Sequence, residues 1–206
     1  MKLYEFGLSG NCHKVRLLLS LLELSYEKHI VNGSAAEHKS ADYLQLNPLG
    51  QVPVLVDDSI AIRDSQAILV YLALKKPHSG FYPSDPVLQA KVQSWLSVAS
   101  NEITRGPAML RMHHKFGKTI DIEAAHQVSS QILQFLEQQL AKTPWLVGTA
   151  MTIADISIYP YVALAHEGFI DLKLYPAIQR WLTDIETLPG YVTMPGIKFQ
   201  NQQVNL

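Results

Sequence analysis

The chain has 206 residues, enough for one large domain or two small ones, and its 48% of hydrophobic residues excludes an intrinsically disordered protein. The formal net charge of -1 excludes a broad basic surface for nucleic acid or anionic lipid. No apolar run approaches the roughly 20 residues of a membrane span, and a single cysteine, Cys12, rules out an intramolecular disulfide. We therefore expect a cytoplasmic protein with no nucleic-acid or membrane partner.

The first part of the chain alternates between strand and helix patterns. The patterns predict a strand at 3–6, then a helix carrying Val15, Leu18, Leu19 and Leu22, then a strand at 26–31. A short helix at 41–46, strands at 54–56 and 60–62, and a helix at 65–74 follow in that order. The order is β-α-β followed by α-β-β-α. It predicts an α/β sandwich closed by a hairpin.

Residues 47–53 predict a tight polar turn that leads directly into a buried strand. Pro48 fixes its own φ, and Gly50 permits a bend that other residues resist. Pro53 stands where the strand begins, a position that tolerates proline. A cis Val52–Pro53 bond would turn the Val52 backbone outward, so that its N–H and C=O could pair with an extended ligand. The alternative is an ordinary turn before a strand.

This element order, with a proline at the start of the third strand, resembles the thioredoxin fold. Proteins of that fold carry Cys-x-x-Cys after the first strand, at a helix amino end that lowers thiol pKa. Here the same place reads Ser9-Gly10-Asn11-Cys12, so dithiol redox chemistry is not available. Ser9 either donates a hydrogen bond to the sulfur of a ligand or simply caps the helix. Cys12 alone is typical of a buried small apolar residue.

With these motifs the chain resembles the glutathione S-transferases that use a serine, as in the theta, phi and zeta classes. The matching motifs, in order, are Ser9-x-x-Cys12 with Val15-x-Leu17, His38-Lys39-Ser40, the turn at 47–53, and Asp64-Ser65-x-Ala67-Ile68. The resemblance covers nearly the whole chain. It implies an enzyme with glutathione as co-substrate and a thioredoxin-like amino-terminal domain followed by an all-helical domain.

The resemblance also implies the site residues. Ser9 is the catalytic residue, which stabilises the thiolate of glutathione and need not act as a base. The glutathione-binding residues are His38 and Lys39 for the glycine end, Gln51, Val52 and Pro53 along the peptide, and Asp64 and Ser65 for the γ-glutamyl end. Taken alone, His38 and Lys39 are equally typical of a solvated loop. Asp64 and Ser65 alone are typical of a helix cap.

Residues 77–86 predict a linker, because they contain three prolines and Gly80. We therefore expect one domain at 1–76 and an all-helical domain at 87–206. Helical spacing predicts a long helix at 87–115 that Gly106-Pro107 kinks or splits, and further helices at 122–141 and 176–188. The run from Thr152 to Asp155 predicts a capping box in which Asp155 is structural.

The resemblance places the second-substrate site between the two halves. The candidates there follow from position only: Phe6, Leu8, Arg105, Met109, Met112, His113 and Phe116. His113 and His114 are adjacent and lack the spacing of a helical metal pair, so we predict no metal.

The sequence thus predicts a transferase that activates glutathione as a thiolate for attack on a small electrophile. A glutathione-dependent peroxidase or disulfide reductase remains an alternative, as does a non-catalytic binding module on the same fold. A zeta-like isomerase is a narrower alternative, although the Ser-Ser-Cys run of that class is absent. The resemblance further implies a homodimer and a role in detoxification.

Overall fold

A computed structural model describes residues 1–198 of the chain. The first part is mixed, with strands β1 (Lys2–Glu5), β2 (Glu27–Ile30), β3 (Val54–Asp57) and β4 (Ile60–Arg63) and helices α1 (Gly10–Leu21), α2 (Ala41–Leu46) and α3 (Ser65–Lys75). The described remainder is helical, with α4 (Pro86–Ser100), α5 (Met109–Phe116), α6 (Ile122–Leu140), α7 (Ile153–Ala163) and α8 (Pro176–Glu186). The predicted fold class, α/β followed by all-α, is confirmed.

The strands form one mixed sheet in the order β2-β1-β3-β4. β1 is parallel to β2, as the α1 crossover requires, and antiparallel to β3. β3 and β4 form the predicted hairpin. Leu3 of β1 pairs with Leu55 of β3, and both side chains are fully buried at the centre of the sheet.

One hydrophobic cluster joins the sheet side to the helical side. It contains Leu3 and Leu55 of the sheet, Leu18 of α1, Ile156 of α7 and Trp181 of α8. Helix α7 is buried along almost its whole length, with α1 against it. Because this core is continuous, the start of α1 is held at a fixed distance from α7, which positions the site described below. The division into domains at residues 77–86 stays a prediction.

The predicted capping box is present at the start of α7. An oxygen of Asp155 accepts the Thr152 N–H at 2.9 Å, and its other oxygen accepts the Leu146 N–H at 2.9 Å and the Trp181 indole N–H at 3.0 Å. Burial raises the pKa of Asp155 to about 6, and these donors oppose that rise. Asp155 therefore ties a loop and α8 to α7, which agrees with the structural role predicted for it.

The predicted long helix at 87–115 is split near Gly106-Pro107, as the sequence led us to expect. α4 ends at Ser100, a π-helical turn spans Thr104–Ala108, and α5 follows. Pro107 has no N–H to continue the α-helical ladder. A Cβ on Gly106 would lie 2.9 Å from the Ser129 hydroxyl oxygen, so a glycine is needed where this turn meets α6. Across residues 1–198, every helix is too short or too polar to span a membrane.

Candidate active site

A mostly apolar cavity of about 500 Å³ opens at the amino end of α1. It lies between the loop that follows β1, the segment that follows β2, and two helices of the second half. Its lining consists of Phe6, Gly7, Leu8, Ser9, Ile30, Val31, Gly33, Arg111, Met112, Phe116 and Tyr161.

Ser9 is the N-cap residue of α1 and lies on the wall of this cavity. Its hydroxyl oxygen accepts the Cys12 N–H at 3.3 Å. The Ser9 proton can therefore turn toward the cavity. The two interpretations of Ser9, helix cap and hydrogen-bond donor, are compatible in this geometry.

Cys12 itself is fully buried. Burial raises the pKa of its thiol to about 11, although the Ser9 side chain acts in the opposite direction. Its thiol is therefore protonated at neutral pH, unlike the exposed, low-pKa thiols of redox enzymes. This microenvironment gives no support to Cys12 as a redox nucleophile.

Tyr161, on α7, was not among the predicted site residues. Its ring packs so closely on the first turn of α1 that a Cβ on Gly10 would lie 2.9 Å from the ring. Burial raises the pKa of Tyr161 to about 12, while the charge of Arg111 and a hydrogen bond from the Asn11 N–H oppose that rise. A second hydroxyl thus lies at the same helix end as Ser9. Tyr161 is far from Ser9 in the sequence, so only the packing of α7 on α1 brings its hydroxyl to this place.

Several hydrogen bonds from neighbouring residues stabilise the turn at 47–53. The Lys39 ammonium donates to the carbonyls of Leu49 at 3.1 Å and of Gly50 at 2.9 Å. The carbonyl of Gln51 accepts the Tyr43 hydroxyl at 2.8 Å and the Asn47 amide at 2.9 Å. Lys39, predicted to bind a ligand, therefore also holds the turn, and one of its three protons is left for another acceptor.

The Val52–Pro53 peptide bond at the end of the turn is cis. Val52 is half-buried and Gln51 exposed. Among the described residues, none forms a backbone hydrogen bond with Val52. His38 lies nearby, its ring edge-on to Phe6 at 5.4 Å between centroids, and its Nδ1 atom is buried without a partner in the part of the chain that the structure describes. The Val52 backbone and the His38 ring are thus polar groups that the fold itself leaves unpaired.

Asp64 caps α3 with an unusual backbone conformation. Its φ is +74°, a region that residues other than glycine rarely adopt and that often marks a functional position. One carboxylate oxygen accepts the N–H groups of Gln66 at 2.9 Å and Ala67 at 3.1 Å. Ser65 is the first helical residue, where a backbone N–H has no partner within the helix.

The structure divides the predicted second-substrate residues between two places. Phe6, Leu8, Met112 and Phe116 line the Ser9 cavity. Arg105 and Met109, in contrast, line a separate groove beside α6. Residues four apart share a helix face, so Met112 and Phe116 face the cavity together, whereas Arg105 and Met109 share the neighbouring face.

His113 lines neither place, and its Nδ1 atom lies 2.8 Å from the Lys118 carbonyl. Arg105, Met109 and His113 therefore do not line the cavity beside Ser9, and their part in binding a second substrate stays a prediction.

Arg111, also missed by the sequence analysis, reaches the cavity from α5. Only 3% of its surface is exposed, and its Nε atom donates to a Glu167 oxygen at 2.5 Å. Its run of basic neighbours in the sequence is typical of a solvated helix face, so no sequence pattern indicated that this one cation is buried.

Comparisons with known proteins agree along both halves of the chain. The glutathione S-transferase N-terminal domain family matches residues 1–74, and the glutathione S-transferase C-terminal domain family matches residues 101–189. A probable glutathione S-transferase of Oryza sativa, GSTF2, is 32% identical over 204 residues, covering 92% of this chain and 93% of the relative. The disulfide-bond oxidoreductase YfcG of Escherichia coli is 30% identical over 199 residues, covering 90% of each chain. The crystal structure of a glutathione S-transferase from Pseudomonas fluorescens superposes with a TM-score of 0.88 at 34% identity, covering 94% of this chain and 98% of the other.

Proposed function

The chain belongs to the glutathione S-transferase family, and we propose that it binds glutathione beside the cavity and activates its thiol for attack on a small electrophile. Ser9 is the catalytic residue of this proposal. One observation carries it: the hydroxyl of Ser9 lies at the amino end of α1, on the wall of a cavity large enough for a small apolar molecule.

The groups left unpaired by the fold match the groups of glutathione. The γ-glutamyl carboxylate fits the amino end of α3 at Ser65, where free N–H groups and the helix dipole favour an anion. Asp64 pairs with the ammonium group of the same residue. The backbone of Val52 pairs with the peptide in the middle, and Gln51 and Pro53 flank it. His38 and the remaining proton of Lys39 bind the glycine carboxylate.

This arrangement shifts the thiol toward its ionised form. A free cysteine thiol has a pKa of about 8.5. A hydrogen bond from Ser9 to the charged sulfur contributes roughly 1.5–3 kcal/mol, and the α1 dipole contributes about 0.3–1 kcal/mol. Together these terms lower the pKa by roughly one to three units, so the thiolate is well populated at neutral pH. Ser9 keeps its proton, and the thiol proton passes to water.

In the chemical step the thiolate sulfur donates an electron pair to the electrophilic carbon. A carbon–sulfur bond forms, and a leaving group departs with the electrons of the bond that breaks. The apolar wall around Ser9 supports this step, because excluding water strengthens the hydrogen bond to the sulfur. A panel of electrophiles, assayed with wild-type protein and with Ser9→Ala, tests the proposal. Conjugation that is unaffected by Ser9→Ala would remove Ser9 from its role.

A second candidate is glutathione-dependent disulfide reduction on the same site. It is favoured by the similarity to a protein named as a disulfide-bond oxidoreductase. Because Cys12 is buried, bound glutathione would supply the attacking sulfur in this reaction as well. Assaying small disulfides and hydroperoxides beside the electrophiles, with Cys12→Ala as a further variant, separates the two. Faster turnover of disulfides than of every electrophile would favour reduction.

We further propose a cytoplasmic homodimer with a role in detoxification. The support for the dimer is an open groove of about 740 Å³ between α3 and α4, in which Leu74 is 55% exposed. Light scattering after gel filtration tests it. A monomer at micromolar concentration, together with an unchanged elution volume for Leu74→Glu, would contradict the assignment of this face.

A further inference from the structure

The unusual feature of the cavity is a buried cation in an otherwise apolar wall. Arg111 is 3% exposed, and its Nη2 atom is buried without a hydrogen-bond partner among residues 1–198. Buried guanidinium groups are normally paired and hydrogen-bonded throughout, because an unpaired donor out of water is unfavourable. Arg111 thus has donor capacity that the fold does not use.

The charges around Arg111 do not cancel. Glu167 accepts the Arg111 Nε–H, and its other oxygen pairs with Lys115. Burial by itself would raise the pKa of Glu167, but Lys115 and Arg111 outweigh it and hold that pKa below its usual value, so the carboxylate is ionised. Within the described part of the chain, two cations therefore share one anion, and this cluster of Arg111, Lys115 and Glu167 carries one excess positive charge.

Arg111 belongs to the lining of the cavity. The central carbon of its guanidinium is 5.2 Å from the centroid of the Phe116 ring, and both residues line the cavity together with Ser9. The other described residues of the lining are glycine, apolar or hydroxyl-bearing, so Arg111 is the one charged residue among the described residues that line the cavity. An anionic group bound at this point would pair with the excess charge and satisfy the unused donors.

We infer that the electrophile accepted by this protein carries a carboxylate, which Arg111 binds while an apolar body fills the space beside Met112 and Phe116. The inference rests on the proposed transferase function and names the class of its second substrate. In the step itself, sulfur attacks the electrophilic carbon and the leaving group departs as an anion. The carboxylate takes no part in bond making and serves only to position the molecule. Arg111 is therefore a specificity residue.

The test compares two electrophiles of similar size and shape, the anionic 4-(chloromethyl)benzoate and the neutral 4-(chloromethyl)benzamide. In both, the thiolate of glutathione displaces chloride from the benzylic carbon, and the thioether product is measured by liquid chromatography. Each kcat/KM is divided by the uncatalysed rate. For the wild-type protein we expect the benzoate to be preferred by about tenfold or more.

Three variants test whether Arg111 causes the preference for the benzoate. Arg111→Gln should abolish it by lowering kcat/KM for the benzoate, while the benzamide changes less than about threefold. Arg111→Lys should keep part of it, since the charge remains but the planar fork is lost. Lys173→Gln is the control, because it removes a positive charge whose side chain is 86% exposed. It should leave both rates unchanged.

A measurement on the wild-type protein alone covers the case in which Arg111→Gln does not fold. The unreactive 4-methylbenzoate should inhibit benzamide turnover competitively and more strongly than 4-methylbenzamide does. Equal inhibition by 4-methylbenzoate and 4-methylbenzamide would overturn the inference. So would equal turnover of the two electrophiles. If the activity still depends on Ser9, the transferase proposal stands. If neither electrophile is turned over faster than in buffer, the inference fails, and the transferase proposal is then decided by the panel of electrophiles assayed with Ser9→Ala.

Discussion

The exchange of Ser9 for alanine tests the hydroxyl on which the proposed chemistry depends. The loss of a hydrogen bond to a charged sulfur removes roughly 1.5–3 kcal/mol, which corresponds to about one to two units in the pKa of bound glutathione. At neutral pH we therefore expect kcat/KM to fall about 10- to 100-fold. Because the variant still ionises the thiol at higher pH, the difference from wild type should shrink as pH rises.

The same exchange also removes the cap of α1, since the Ser9 oxygen accepts the Cys12 N–H. Losing a cap costs about 0.5–2 kcal/mol of stability, so stability and chemistry must be separated. Asp85→Ala is the matched control, because Asp85 caps α4 through the Leu88 N–H at 2.9 Å and is not part of the cavity lining. It should lower the melting temperature without moving the pH–rate profile.

The assay is the pH dependence of kcat/KM with one reactive electrophile, together with the ultraviolet absorbance of the bound thiolate. Ser9→Thr retains a hydroxyl and should recover part of the activity. The reasoning is refuted if Ser9→Ala keeps the wild-type midpoint in both measurements. It is also refuted if Asp85→Ala shifts the midpoint as far as Ser9→Ala does.

Three further predictions follow from buried or strained positions. Gly50 has a φ of +57°, and a Cβ there would lie 2.6 Å from the His38 carbonyl oxygen. Gly50→Ala should therefore distort the turn, cost roughly 1–3 kcal/mol and abolish retention on immobilised glutathione. Normal retention would contradict the role given to the turn. Burial lowers the pKa of Lys14 from 10.5 to about 7. Between these values the unfolded chain binds more protons, so the cost of burying this lysine is full below pH 7 and declines as pH rises. Lys14→Met should raise the unfolding free energy by roughly 1–3 kcal/mol in acid and less in alkali, which denaturant titrations at about pH 6 and about pH 9 will show. Cys12, with a pKa raised to about 11, should react with iodoacetamide far more slowly than free glutathione at neutral pH. Equal rates would mean that the thiol is exposed.

Several features of the site are local, and these could be predicted from the sequence. A helix cap, a proline-bearing turn and a capping box each depend on residues within a few positions of one another. This is why Ser9 at the start of α1, the turn at 47–53 and the Thr152–Asp155 box lie where the patterns indicated. The alternation of strand and helix spacing was also sufficient to predict the mixed sheet and the helical second half.

The opposite wall of the cavity was decided by tertiary structure alone. Arg111 on α5 lines the cavity together with Ser9, whereas Arg105, within the π-helical turn, lines a separate groove, and the folded positions of the turn and α5 decide this division. Whether the Tyr161 hydroxyl reaches the first turn of α1 depends on the packing of α7 against that helix. Such contacts join residues far apart in the chain, and small rotations of a helix change which side chain makes them. The sequence therefore cannot show which arginine of a basic run, or which tyrosine, lines the cavity until the packing of the core has fixed the rotation of each helix.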